Sequence, residues 1–323
     1  MVISMNKIRV LICGASGFAG NNILLRLSKS SQFEVIGTYF SKKPKDVPSH
    51  VELVRADLTD RATVFNLTKN IDILFDYAAI ATNFKDVVTK PYIHTTDNVV
   101  ISSLLIRSAF ENGVKHFIFP SCGYLYNHSA QPFKETDVDY NNLPPKFMGA
   151  AWSKVYLEKM CEFYSTLGKT KFTVIRQANL YGPYDKSDLE VAHALPATII
   201  KALTTKTGSI QVWGDGTQKK DQLYIDDLLD LLEIMIEQKS NAFDFLNVGT
   251  GQFVTMKQMA EYATRFADKN IQIQYDTSMP SNDLYWCLDS SKAKKQFGWT
   301  PKISLEEGMK RTTEWYQKTL AVR

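Results

Sequence analysis

Ile8-Arg9-Val10-Leu11-Ile12-Cys13-Gly14-Ala15-Ser16-Gly17-Phe18-Ala19-Gly20 is the stretch that decides the fold. An apolar run of strand length leads into three glycines spaced G-x-x-G-x-x-G, and a helical pattern follows over 21–30. Glycines there let the chain turn sharply and bring its backbone close to a pyrophosphate, whose charge meets a helix N-terminus. Three glycines in a loop are a weak signal alone; the strand before them and the helix after them supply the context. Working outward, apolar strand patterns recur at 33–38, 51–54, 71–77, 114–119 and 171–176, with a long helical stretch at 97–112 closed by Gly113. Near-continuous apolar strands alternating with amphipathic helices specify a parallel sheet covered on both faces. The expected class is α/β: a Rossmann-type doubly wound parallel sheet with a smaller C-terminal substrate-binding domain. The expected division is 1–178 for the dinucleotide and 179–323 for the substrate, with 222–250 returning to the first domain.

Beyond residue 179 the pattern is more mixed. Helices are expected at 191–203, interrupted by Pro196, and at 225–238, 255–267, 291–297 and 304–319; strands are expected at 209–213 and 243–248. Asp226 and Asp227 open one helix, where acids suit the positive end of the dipole. Ser304 and Glu307 have capping-box spacing.

Composition narrows the function. A net charge of +4 over 323 residues is too mild for a nucleic-acid partner, and Lys42-Lys43-Pro44-Lys45 reads as a solvated loop. The four cysteines (Cys13, Cys122, Cys161, Cys287) form no CxxC pair, which argues against a zinc site or a disulfide framework and suits a reducing cytoplasm. No apolar stretch reaches membrane-spanning length, and Met1 to Lys7 lacks a signal-peptide core. No metal is expected.

Candidate coenzyme residues follow from the strand ends. In the glycine loop they are Gly14, Ser16, Gly17, Phe18 and Ala19. Asp57 and Leu58 end the third strand, where a carboxylate can accept from an adenine amino group; a helix cap is the competing role for Asp57. Ala78 and Ala79 end the fourth strand and are small enough for a nucleotide to pass close. Asn98 can fix the backbone nearby. NAD-selective sites usually place an acid at the end of the second strand. Here Tyr39, Phe40, Ser41 and Lys42 stand there instead. Ser41 and Lys42 can hold a 2′-phosphate, so the expectation leans to NADP over NAD.

The glycine loop, Ala78-Ala79, Ser121-Cys122, Ser153-Lys154 and Asn179-Leu180-Tyr181-Gly182-Pro183 occur in one order. With Trp213-Gly214-Asp215-Gly216, Tyr224-Ile225-Asp226-Asp227, Asn247-Val248-Gly249-Thr250-Gly251 and Phe297-Gly298-Trp299, they span essentially the whole chain. Together they resemble the extended short-chain dehydrogenase/reductases that act on nucleotide sugars, the NAD-dependent epimerase/dehydratase family. His193-Ala194-Leu195-Pro196-Ala197 is similar to a segment of the GDP-fucose synthase group. The resemblance implies hydride transfer at a sugar ring carbon (C4 first), epimerisation beside it, a GDP-sugar substrate and a role in polysaccharide precursor supply. It also implies a homodimer or higher homo-oligomer, paired through the helices near 98–112 and 151–167. On the substrate side it points to Asn179 at a phosphate oxygen, Trp213 flanking a base, and Lys220 in place of a diphosphate-gripping arginine. Lysine keeps the charge but loses the bidentate fork.

The same resemblance exposes a gap. It places the catalytic tyrosine four residues before Lys154, and that residue is Ala150. Residues four apart on a helix share a face, so a phenol there would have its pKa lowered by the ammonium. The Ser/Thr position falls on Cys122, a weak donor, and Ser121 beside it would point away from an extended strand's other face. Lys154 keeps the family's ribose-holding role, His193 matches a family acid, and Tyr124 falls where its partner cysteine stands. Three readings stay open: another group (Tyr124, Cys122 or His193) replaces the phenol, the alanine was introduced, or the chain is a silent dinucleotide or nucleotide-sugar binder.

Overall fold

The computed structural model describes residues 7–80, 92, 95–189, 191–238, 241–279 and 285–321. The sheet-building strands are β1 (Ile8–Cys13), β2 (Phe33–Tyr39), β3 (Glu52–Arg55), β4 (Ile73–Asp76), β5 (His116–Cys122) and β6 (Lys171–Gln177). Short strands follow: β7 (Asn179–Tyr181), β8 (Ser209–Trp213), β9 (Lys219–Lys220) and β10 (Gln222–Tyr224). The last three are β11 (Phe243–Val248), β12 (Val254–Thr255) and β13 (Gln272–Asp276). Seven strands form one sheet in the order β11-β6-β5-β4-β1-β2-β3, and every pairing in it is parallel. The order reverses direction between β1 and β4, which opens a crevice at their carboxyl ends.

The helices are α1 (Phe18–Leu27), α2 (Arg61–Leu67), α3 (Thr96–Glu111), α4 (Met148–Ser165), α5 (Ala194–Thr204), α6 (Ile225–Glu237), α7 (Met256–Phe266), α8 (Ser291–Phe297) and α9 (Leu305–Ala321). Strand periodicity separates two cores. Val10 and Ile12 of β1 pack with Ile23 and Leu24 of α1 and Leu228 of α6 on one face. Leu11 and Cys13 pack with Leu105 and Ile106 of α3 and Leu157 and Cys161 of α4 on the other.

Some boundaries differ from the sequence reading for physical reasons. α1 begins at Phe18 rather than Asn21, because Gly17 serves as an N-cap with no side chain and leaves the first turn's amides free. Asp57 is not a helix cap: Asp60 caps α2, accepting from the Thr63 amide at 2.7 Å. Ser304 accepts from the Glu307 amide at 3.2 Å, but the Glu307 carboxylate turns to Arg311 instead of closing the box. A two-armed box forms at Thr255 and Gln258, where none was read. β11 pairs with β6, so the chain returns to the main sheet after β7 to β10. β8 pairs with β13, a strand missed because its pattern is mostly exposed.

Candidate functional site

The glycine loop closes over the crevice. Gly14 has φ +78°, and a Cβ there would stand 2.4 Å from the Tyr77 carbonyl oxygen; a Cβ at Gly20 would stand 2.3 Å from the Gly14 carbonyl oxygen. Only glycine permits that packing. Thr38, overlooked in the sequence, anchors the loop: its hydroxyl accepts from the Gly14 amide at 3.2 Å and its carbonyl from the Ala15 amide at 2.8 Å. The N-terminus of α1 has no capping side chain and no acid in its first turn, with Ser16 and Gly17 exposed in front of it. Such an end, with free amides and a positive dipole, fits a dinucleotide's pyrophosphate. Phe18 and Ala19 open the helix, half-buried.

The adjoining strand ends line up beside it. The Tyr39 carbonyl accepts from the Ala56 amide at 2.9 Å, and Ser41 and Lys42 are exposed just beyond. Arg55, unremarked in the sequence, donates to the Phe40 carbonyl at 3.2 Å and brings a guanidinium to the same spot. Asp57 is exposed and accepts from the Thr59 amide and hydroxyl, which hold its carboxyl below the usual range; Leu58 is buried beneath. Asn98 clamps the loop after β4 from both sides, accepting from the Ile80 amide at 2.7 Å and donating to the Ile80 carbonyl at 3.3 Å. Ala78 and Ala79 lie in that loop.

The catalytic corner is built from β5 and α4. Ala150 and Lys154 share the α4 helix one turn apart. The Lys154 ammonium donates to the Pro120 carbonyl at 2.6 Å and lies 4.4 Å from the centre of the Phe119 ring. Ser121, on the same face of β5 as Phe119, donates to Glu158 of α4 at 2.5 Å. Glu158 also holds Arg176 through two bonds of 3.0 and 2.7 Å. Arg176 is fully buried, bonds the Tyr126 hydroxyl and lies 4.1 Å from the Phe245 ring. This network was not read from the sequence; an arginine directly after Phe172 to Ile175, within the strand, was its available signal. Cys122 points to the other side of the strand, and burial pushes its thiol up. Tyr124 stacks on Phe147 at 4.4 Å and meets Trp286 edge-on at 5.9 Å; burial pushes its phenol up to about 12. Trp286 also lies against Gly123, where a Cβ would fall 2.3 Å from the ring.

The remaining candidates sit on the C-terminal elements. His193 is 52% exposed at the start of α5, its Nδ1 3.5 Å from buried Asp185. Among the described residues no hydrogen bond or ring contact joins it to Cys122, Tyr124 or Lys154. Asn179 spends one amide hydrogen on the Asp221 carbonyl at 3.0 Å. Trp213 is 43% exposed rather than packed in the core. Lys220 is pushed down to about 8, first by burial and then by the charge of Lys146. Two ammoniums held that close, with no carboxylate paired to Lys220 among the described residues, suit a polyanion. Among the described residues no cluster of His, Cys, Asp and Glu could hold a metal ion, and no helix is long and apolar enough to cross a membrane.

These features have counterparts in known proteins. The NAD dependent epimerase/dehydratase family model matches residues 10–249. The chain is similar to the GDP-L-fucose synthase of Escherichia coli (strain K12), 27% identical with 97% of both chains covered. It is also similar to the GDP-L-colitose synthase of Yersinia pseudotuberculosis, 25% identical over 95% of this chain and 97% of the other. Among solved structures, UDP-glucose 4-epimerase of Thermotoga maritima with UDP-glucose superposes with a TM-score of 0.85 and 26% identity, covering 97% of this chain and all of that one. A parallel sheet with a glycine cradle at its switch point and a lysine on the helix after β5 agrees with that match, which makes the coenzyme a nicotinamide dinucleotide. The chain belongs to the NAD dependent epimerase/dehydratase family of nucleotide-sugar enzymes.

Proposed function

We propose that the protein moves hydride at a ring carbon, C4, of a GDP-activated sugar, with epimerisation at the neighbouring carbon, to supply a polysaccharide precursor. Two observations carry this reading: an uncapped helix end behind the glycine cradle, and the mutual charge of Lys220 and Lys146. The first suits the coenzyme's pyrophosphate and the second a sugar nucleotide's diphosphate. Residues 1–178 and 222–250 serve the coenzyme and the rest of the chain the substrate, a division supported by the pairing of β11 with β6. The bound coenzyme supplies the hydride. Lys154 orients its ribose, and Ser41, Lys42 and Arg55 take a 2′-phosphate, which favours NADP.

A proton must move to or from the sugar oxygen, and Ala150 cannot carry it. Tyr124 and Cys122 are half-buried, and desolvation raises both pKa values, so they hold their protons tightly. His193 is half exposed and has a carboxylate, Asp185, beside its Nδ1, so it is assigned the proton transfer. A catalytically silent binder is the second reading, favoured by Ala150 itself.

The exposed row Met148, Trp152, Tyr156, Phe163 and Leu167 along and just beyond α4 supports a homodimer through that face. The test offers purified protein NAD, NADP and GDP-, UDP- and dTDP-sugars, following nicotinamide absorbance and product identity. Turnover of a GDP-sugar with NADP is expected. No turnover of any sugar in this chain and in an Ala150→Tyr variant rejects the enzyme reading, and unchanged deuterium incorporation in His193→Asn removes that residue from it.

A further inference from the structure

Asp76 ends β4, is 1% exposed, and has no hydrogen-bond partner of good geometry at either carboxylate oxygen. Such a group is costly in an apolar interior unless it is neutral or faces a cation. The register shows which cation it faces. Asp76 pairs with Cys13 across β1, and Phe75 pairs with Ile118 across β5. One residue further, Asp76 lies beside Phe119, about 5 Å away at the strand spacing. Cys13 and Phe119 both belong to the core between the sheet and helices α3 and α4. Lys154 lays its ammonium over the Phe119 ring from that same side.

We propose that Asp76 is the anionic partner of Lys154, a positioning residue that supplies from beneath the counter-charge which position 150 lacks. The proposal rests on Lys154 facing the coenzyme, as in the reading above. The ammonium has three donors. One is spent on Pro120, and the carboxylate beneath orients the remainder. Its negative charge also offsets the positive charge of an oxidised nicotinamide ring, which a neutral alanine at 150 cannot do.

The titratable groups facing Asp76 are Cys13 on β1 and Lys154 and Cys161 on α4; Ser102 on α3 adds a hydroxyl. Burial pushes both thiols well up, so neither titrates with it. Burial also pushes Asp76 up to about 6, against the pull of Ser102, Lys154 and the Ala78 amide. The carboxyl is therefore neutral below about pH 6 and charged above it. By linkage, affinity for oxidised coenzyme rises with pH through that range, while affinity for reduced coenzyme barely moves.

The experiment measures dissociation constants of oxidised and reduced coenzyme, by calorimetry, from pH 5 to pH 8. In the wild type the oxidised form is expected to gain on the order of tenfold and the reduced form less than about twofold. In Asp76→Asn both curves are expected to be flat. An unchanged slope in Asp76→Asn, or equal slopes for the two coenzyme forms, overturns the proposal. A second measurement needs neither that variant nor bound coenzyme. Infrared spectra of ¹³C-aspartate-labelled protein follow the high-frequency band of an unbonded carboxylic acid against pH. In Lys154→Met its midpoint is expected to rise by about one unit or more; an unmoved midpoint overturns the proposal. Absence of coenzyme binding in the wild type would strike at the functional reading instead, and the infrared titration would still decide this one.

Discussion

The loop after β1 and the corner between β5 and α4 lie at the same end of one sheet, yet they obey local rules to different degrees. In the first, each residue does what its type predicts. Glycines stand where a Cβ would strike backbone, Thr38 satisfies the loop amides, and the helix end stays bare. In the second, the framework is fully bonded but offers no side chain at position 150 that could move a proton. Glu158 and Arg176 are fully engaged and Lys154 is held by the Pro120 carbonyl, but position 150 is an alanine and position 122 a cysteine. The first region presents backbone, whose shape depends on its glycines; the second presents side chains, whose chemistry a single exchange alters.

The change with the largest expected effect is Ala150→Tyr, which would erase the contrast. Turnover of the nucleotide sugar should rise by about 10²- to 10⁴-fold, the usual contribution of a placed acid/base, with coenzyme affinity nearly constant. Steady-state kinetics beside calorimetry checks both halves, and equal turnover in the two proteins would mean that His193 already carries the proton as efficiently as a phenol would. Next is Glu158→Ala, which attacks the scaffold instead. Leaving Arg176 buried without its carboxylate should cost about 3–5 kcal/mol of stability, read from denaturant unfolding. A loss below about 1 kcal/mol would show that water enters to solvate the guanidinium.

Gly20→Ala tests the backbone region. Its Cβ would stand 2.3 Å from the Gly14 carbonyl oxygen, so the loop must shift. Overpacking of this kind costs about 1–3 kcal/mol, and coenzyme affinity should fall roughly 5- to 150-fold by the same free-energy scale. Undiminished affinity would mean the loop does not hold the coenzyme. The smallest effect is a pH dependence on the substrate side. Lys220 titrates near about 8, so its ammonium is present below that pH and is lost above it. A nucleotide diphosphate should bind up to about fivefold more weakly at pH 9 than at pH 8, and Lys220→Arg should flatten the curve while keeping the affinity.

The sheet was legible because its strands are apolar enough to be read without partners, and the first glycine loop because its neighbours frame it. What escaped the sequence depends on partners remote in the chain. β7 and β10 are three residues each and exist only because Asn179 to Tyr181 pairs with Gln222 to Tyr224. Arg55 reads as one more surface cation until the register sets it beside Tyr39. Asp76 was visible as an acid closing an apolar strand, but its isolation is a property of the packed face around it. Tyr124 had a position by motif, and only the structure shows it pressed between Phe147 and Trp286.

Asn22, on α1, donates through one side-chain nitrogen to the Phe18 carbonyl of its own helix and to the Pro183 carbonyl 161 residues away, each at 2.9 Å. Arg26, one turn on, grips Asp230 and Glu233 of α6. The helix that begins the chain's first crossover is therefore riveted to the strip of polypeptide that begins its last third. Two amide hydrogens and one guanidinium thus tie the helix behind the glycine loop to the C-terminal elements.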